Sequence, residues 1–236
     1  MPRPAARSGI FLLIFLSSIA VSAEQIVRLS SPDGKVEIRV TLGASIRYSI
    51  WYRQQQVVAA SPISLTVDRS VLGRGSVIKK ISRDSVRSVI TPLYGKFDRL
   101  KDDYRELRID FSQPFSLLVR AYDEGIAWRW VLSFPSTVTV NTEEVSFALK
   151  PAYSALLSVT PKLTSWELPY TSYSSVSQVP DSNNVIVPAL FTDRGFRLVV
   201  AESDVRDYPG MFLKKGEGGF HGFWAAYPKR ETPYRG

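Results

Sequence analysis

Hydrophobic residues recur at every second position along most of this chain. Val36, Ile38, Val40 and Leu42 alternate with Glu37, Arg39 and Thr41, and Ile46, Tyr48, Ile50 and Tyr52 alternate with Arg47, Ser49 and Trp51. A period of two places one set on each face of an extended strand, and Gly43-Ala44 between the runs reads as a hairpin turn. Leu107, Ile109 and Phe111 repeat the pattern, and Leu117, Val119 and Ala121 lead into Asp123-Glu124-Gly125, a turn in which glycine supplies positive φ. The next run, 126–134, sets Trp128 and Trp130 on one face and Arg129 on the other. Aromatic pairs in strands are first of all core. Further strands fit 25–30, 55–60, 77–88, 137–141, 144–147, 185–191 and 197–203. Helical periodicity is absent after residue 23. Ten or more short strands separated by turns predict an all-β domain, a large antiparallel β-sandwich.

The first residues read as an export signal. Arg3 and Arg7 precede an apolar stretch over 10–21, and Val21-Ser22-Ala23 is a small-residue cleavage site. This predicts a signal peptide over 1–23, one domain over 24–236, and a secreted or periplasmic protein. The apolar stretch is too short for a membrane span, and none is expected after cleavage. The chain has no cysteine and one histidine, His221. Thiolate metal sites and cysteine nucleophiles are excluded, and multi-histidine zinc sites and Ser-His-Asp triads lack their parts. An exported chain without disulfides must rely on its hydrophobic core. The formal charge is +8, but it is scattered, with no basic helix, zinc finger or RNA-binding aromatic motif, so nucleic acid is not an expected partner.

Two stretches depart from simple alternation. Residues 151–184 are rich in Ser, Thr, Tyr and Pro, and read as an ordered excursion across a binding face. Trp166, Glu167 and Tyr170 lie there. Sugar rings stack on aromatic side chains while polar neighbours bond their hydroxyls, so these three are candidate substrate contacts. The second stretch follows the apolar Leu198-Val199-Val200: Glu202, Asp204, Asp207 and Tyr208 precede a Pro209-Gly210 turn and the apolar Met211-Phe212-Leu213. Carboxylates at a strand end are either solvated surface groups or ligands for a hard cation. Calcium takes about six to eight oxygen ligands, and this run supplies only part of that shell, so a metal site here needs other segments or another domain. Glu167 and Glu202 are conceivable as a glycosidase carboxylate pair, but nothing in the sequence fixes their separation, and no catalytic residue is assigned.

These residues resemble a known family. Ser31-Pro32-Asp33-Gly34-Lys35, the run Arg120–Trp130, Thr164-Ser165-Trp166-Glu167-Leu168-Pro169-Tyr170, Val187-Pro188-Ala189-Leu190-Phe191 and the run Ala201–Met211 are similar to the N-terminal β-sandwich domain of glycoside hydrolase family 97, bacterial α-glucosidases and α-galactosidases. The resemblance covers the chain from about Gln25 onward. It implies a super-sandwich related to galactose mutarotases, packed against a catalytic (β/α) barrel that carries the acid and the base or nucleophile. It implies that Glu202 reaches across to a calcium ion shared with barrel carboxylates, and Tyr208 of the same run is a further candidate substrate contact. Carbohydrate, an α-glucoside or α-galactoside, is the implied ligand. Barrel sequence is absent, so the chain is expected to be one domain of a larger enzyme, not catalytic by itself. Two alternatives stay open. One is an interaction domain without sugar affinity, whose face containing Tyr208, Phe212 and Trp224 packs on the barrel. The other is a freestanding mutarotase-like protein, which has only His221 to offer as its histidine.

Overall fold

The computed structural model describes residues 24–163, 168–206 and 208–225. The leader over 1–23 and the candidates Trp166 and Glu167 lie outside the described residues.

The alternating runs are strands of two antiparallel sheets. The small sheet is a four-stranded meander of β6 (Ile78–Ile90), β7 (Leu100–Phe111), β8 (Phe115–Tyr122) and β9 (Gly125–Leu132). In the large sheet, β1 (Gln25–Ser30), β2 (Val36–Leu42), β3 (Ile46–Tyr52) and β4 (Gln55–Val67) run as successive neighbours. The short β5 (Ser70–Leu72) pairs with β4. Beside β4 come β10 (Val140–Ala148), then β16 (Gly219–Trp224), β15 (Met211–Gly216), β13 (Asn184–Asp193), β11 (Ser154–Thr160) and the edge strand β12 (Tyr170–Tyr173). Strand β14 (Phe196–Val200) folds back on β13. Among the described residues the helical content is one 3₁₀ turn, Val176–Gln178.

The predicted hairpin of β2 and β3 has the bounds the alternation gives. Strand β7 lies over β1, β8 over β1 and β2, and β9 over β2. Leu107, Ile109, Leu117 and Val119 from the small sheet and Val27, Ile38, Val40 and Ile46 from the large one share a single buried cluster. Trp128 and Trp130 pack against this core from β9, as expected of them. Tyr48 and Trp128 lie with ring centroids 4.6 Å apart, and Trp128 leads on to Phe147 at 6.3 Å.

The structure revises several sequence expectations. In place of strands at 137–141 and 144–147 there is one strand, β10, from Val140 to Ala148, with 137–139 outside it and a register shift against β4 between Val140 and Thr142. The 151–184 stretch is not an excursion throughout. It contains β11, a strand with Ala155 and Leu157 buried and partners on both sides. Leu156, exposed on the outer face between the buried Ala155 and Leu157, makes a short continuous apolar run that masks the period of two. Strand β14 ends at Val200, so Glu202 stands in the loop beyond it.

Tyr208, Phe212 and Trp224 do not share a face. Met211 pairs with Trp224 and Phe212 with Phe223, and successive side chains of a strand point to opposite faces. Met211 and Trp224 therefore face the interior between the layers, and Phe212 the opposite side, where Ile186 is its register partner. Where β16 crosses β10 the backbones are close. A Cβ on Gly219, at φ +143°, would sit 2.2 Å from the Phe147 carbonyl oxygen. Only glycine fits there.

A candidate active-site contribution at the carboxylate cleft

The small sheet does not cover the whole inner face of the large one. Beside β9 the layers part and leave a cleft of about 1100 Å³. Its walls are Trp128 of β9, Glu143, Val145 and Phe147 of β10, Trp224 of β16, Met211 of β15 and the strand β14 with the residues that follow it. The alternation of β10 explains why Glu143 is there: it shares parity with the core residues Val145 and Phe147, so it faces inward.

The loop from Ala201 to Gly210 lines this cleft with Ala201, Glu202 and Ser203, and its described residues have no regular structure. It is fixed at two points. Near its start, Glu202 Oε2 accepts the backbone N–H of Met211 at 2.5 Å, which closes the loop onto the first residue of β15. Near its end, the Tyr208 hydroxyl donates to Glu143 Oε2 at 3.0 Å, which ties the loop to β10. Asp204 between them adopts φ +57°, a left-handed conformation that Asp tolerates better than most residues. Asp204 itself is exposed and pairs with Arg206 at 3.2 Å.

The electrostatics follow from partial burial. Desolvation pushes the Glu202 carboxyl above its ordinary value, against the stabilising Met211 N–H. Burial also raises Glu143, the Tyr208 hydrogen bond opposes the shift, and the charge of Glu202 adds to it. The Tyr208 phenol is pushed well up by burial and by both carboxylates. Two carboxylates thus face one cleft closely enough to repel. Glu202 Oε1 has no hydrogen bond among the described residues. The Trp224 indole N–H is buried without a partner at the same cleft.

This arrangement suits partial ligation of a cation. A half-buried carboxylate held by one oxygen and open at the other is a usable ligand for a hard ion. Among the described residues no group of three or more His, Cys, Asp or Glu converges, so Glu202 with Glu143 could supply only part of a calcium shell.

Of the other sequence candidates, Tyr208 is tied by its hydroxyl to the cleft-lining Glu143 without itself lining the cleft. Tyr170 is not so tied. It sits half-exposed on the edge strand β12, beyond β13 and β11, with its hydroxyl donating to the Pro188 carbonyl at 3.4 Å. Glu143 went unremarked in the sequence. Its signal was its parity with Val145 and Phe147, hidden by the adjacent Glu144.

Comparison with known proteins gives this site a context. The family described as glycosyl-hydrolase 97 N-terminal matches residues 29–235. A retaining alpha-galactosidase of Bacteroides thetaiotaomicron is 28% identical over 93% of this chain and 35% of its own length. A probable retaining alpha-galactosidase of Streptomyces bingchenggensis is 23% identical over 75% of this chain and 27% of its own. A glycoside hydrolase family 97 enzyme from Pseudoalteromonas sp. strain K8, solved with acarbose, superposes with a TM-score of 0.74 at 19% identity, covering 84% of this chain and 32% of that one. A beta-arabinopyranosidase structure gives the same score, 0.74, at 20% identity, over 84% of this chain and 35% of its own. The chain spans about a third of the length of these proteins. The all-β sandwich is the fold they share with it, and the chain itself belongs to the glycosyl-hydrolase 97 N-terminal family.

Proposed function

We propose that this chain is the N-terminal part of a secreted glycoside hydrolase and completes an active site carried mainly by the rest of that enzyme. Its own share is one calcium ligand, Glu202, and part of the wall against which a glycoside lies. The observation that carries this reading is the state of Glu202. Its carboxylate is fixed by the Met211 N–H, open at the other oxygen, and set in a cleft whose described residues are too poor in ligands to hold an ion alone.

Calcium bound here would supply a fixed positive charge for orienting a sugar hydroxyl or the group under attack. The chain's own residues do the positioning. Met211 fixes one oxygen of Glu202, and the Tyr208–Glu143 hydrogen bond holds the rest of the loop against β10. Trp128 and Trp224 give the cleft aromatic walls. The α-galactosidase relatives favour an α-galactoside as substrate class, and an α-glucoside is kept beside it on the sequence resemblance alone. Tyr170 remains a candidate sugar contact away from the cleft, and Trp166 and Glu167 stay candidates on their sequence alone.

The test replaces the matching N-terminal third of the Bacteroides enzyme with this chain and measures hydrolysis of nitrophenyl α-galactoside and α-glucoside. Turnover of either supports the reading. A joined protein that folds and turns over neither contradicts it. Isothermal titration of the isolated chain with galactosides and maltooligosaccharides tests the sugar contact separately, and no heat at millimolar sugar removes that part.

A further inference from the structure

The first strand of the small sheet carries an extra residue. Ile78 of β6 pairs with Phe111 of β7, and Lys80 pairs with Asp110, so Lys79 has no partner in the ladder. A bulge of this kind re-aims a side chain. In a regular strand Lys79 and Lys80 would point to opposite faces. Here both line one pocket of about 430 Å³. The hairpin of β6 and β7 runs beyond the sheet at one end, where Ile90 still pairs with Leu100 past the last β7–β8 pair, Tyr104 with Tyr122. The pocket lies at the other end of this hairpin, and no residue lines both it and the carboxylate cleft.

Three segments meet at the pocket, and backbone bonds hold them together. Ser112, in the turn between β7 and β8, donates its N–H to the Val77 carbonyl just ahead of β6 at 2.8 Å. Ser133, just past β9, donates its N–H to the Pro114 carbonyl of that turn at 2.9 Å. Both serines line the pocket, and their hydroxyls make no hydrogen bond among the described residues. Arg108 is fixed by its neighbours. Its Nε donates to Asp110 Oδ1 at 2.8 Å and its Nη2 to the Ser116 hydroxyl at 3.0 Å, while Ser116 donates to the same Asp110 oxygen at 2.6 Å. The Ser116 hydroxyl first, then Arg108 and the charge of Lys80, hold the Asp110 carboxyl below its ordinary value against the opposing effect of burial. Lys79 and Lys80 are exposed, and their ammonium groups take part in no ion pair or hydrogen bond among the described residues.

We propose that this pocket binds a phosphate monoester, with Lys79, Lys80 and Arg108 around the phosphoryl oxygens and the hydroxyls of Ser112 and Ser133 completing the donors. Charge and size choose the ligand. Three cations against one carboxylate, Asp110, leave two positive charges in excess. A phosphate monoester carries about −1.5 to −2 charges at neutral pH and three strong acceptor oxygens, so it matches that excess. A carboxylate or a sulfate ester carries a single charge. The volume of about 430 Å³ falls within the range of small-molecule sites, roughly 300–1,000 Å³, and leaves room for the organic group. A guanidinium held in one plane suits phosphate geometrically, and the lysines add point charges. The bulge is the device that brings the second lysine to the same side. This site goes beyond the proposed function and stands or falls without it.

Isothermal titration of the chain at about 0.15 M salt tests the site with phenyl phosphate, phenyl sulfate and inorganic phosphate. Phenyl phosphate is expected to bind with a dissociation constant of about a millimolar or tighter, and the other two more weakly. Lys79→Gln with Lys80→Gln should weaken phenyl phosphate about tenfold or more. Both side chains are exposed, so the sandwich keeps its core without them. Lys150→Gln with Lys214→Gln removes the same charge from exposed positions just past β10 and on β15, and should change nothing. At about pH 5 the monoester is protonated, since its second pKa is about 6, and phenyl phosphate should bind more weakly while phenyl sulfate is unaffected. No binding of phenyl phosphate, by heat or by a shift in melting temperature, overturns the site. Equal weakening in the two double variants assigns the binding to diffuse charge and overturns it as well. Inorganic phosphate bound as tightly as phenyl phosphate makes the pocket a bare-anion site and overturns the ester.

Discussion

Tyr208 donates its phenolic hydrogen to Glu143 across 3.0 Å, joining residues 65 positions apart. Among the described residues this bond and the Glu202–Met211 bond tie the 201–210 loop to the strands beside it. Removing the hydroxyl leaves the half-buried Glu143 carboxylate without its donor, and such a loss costs about 1–3 kcal/mol. Tyr208→Phe should therefore loosen the loop more than the sandwich. Amide exchange is expected to quicken in the loop while the strands β7 and β8 keep their protection. Unchanged exchange in the loop would show that the tie does not restrain it.

The β1–β2 turn is predicted to be acid-sensitive. Asp33 is held far below the usual carboxylate range, first by the Lys35 ammonium, then by the Lys35 N–H and the Ser31 hydroxyl. A carboxyl whose folded pKa is depressed contributes stability that is present above its unfolded value of 3.8 and is lost as pH falls towards the folded one. Asp33→Asn should lower the melting temperature at neutral pH, and the gap from the parent should close as pH drops below that unfolded value. A gap of the same size at both ends of the range would assign the effect to turn geometry and not to charge.

The shared core predicts a large loss from one truncation. Leu117 is fully buried between the layers, in the cluster that includes Ile38 and Val40. Leu117→Ala should cost about 2–5 kcal/mol, the range for cavity-forming changes in packed cores. Urea unfolding followed by tryptophan fluorescence reads this directly. A loss below about 1 kcal/mol would mean that the sheets close over the gap.

How much of this was legible in the sequence differs by element. The hairpin of β2 and β3 could be read residue by residue because one face is buried and the other wet, which preserves the alternation. Strand β11 was not legible, because the exposed Leu156 between the buried Ala155 and Leu157 is itself apolar and hides the alternation. The overhang of the β6–β7 hairpin was equally hidden. Strand pairing beyond the sheet is a fact of register, and register between distant strands leaves no local mark.

Of the candidate site, the loop that carries Glu202 and Tyr208 was legible from its position between an apolar run and a Pro-Gly turn. Glu143 was not, since its role depends on where β10 lies relative to a loop far along the chain. The grouping of Phe212 with Trp224 failed for a simpler reason. Sequence proximity across a hairpin does not say which residues share a face; the pairing of Met211 with Trp224 does.

The central claim is that Glu202 joins a calcium site completed by the rest of the enzyme. The most direct measurement is the calcium dependence of α-glycoside hydrolysis by the joined enzyme, after chelation, for the parent and for Glu202→Gln. The account predicts activity lost on chelation and restored by calcium in the parent, with the variant needing about tenfold more calcium, or beyond, for half-maximal activity. Superimposable calcium curves for the two proteins would contradict it.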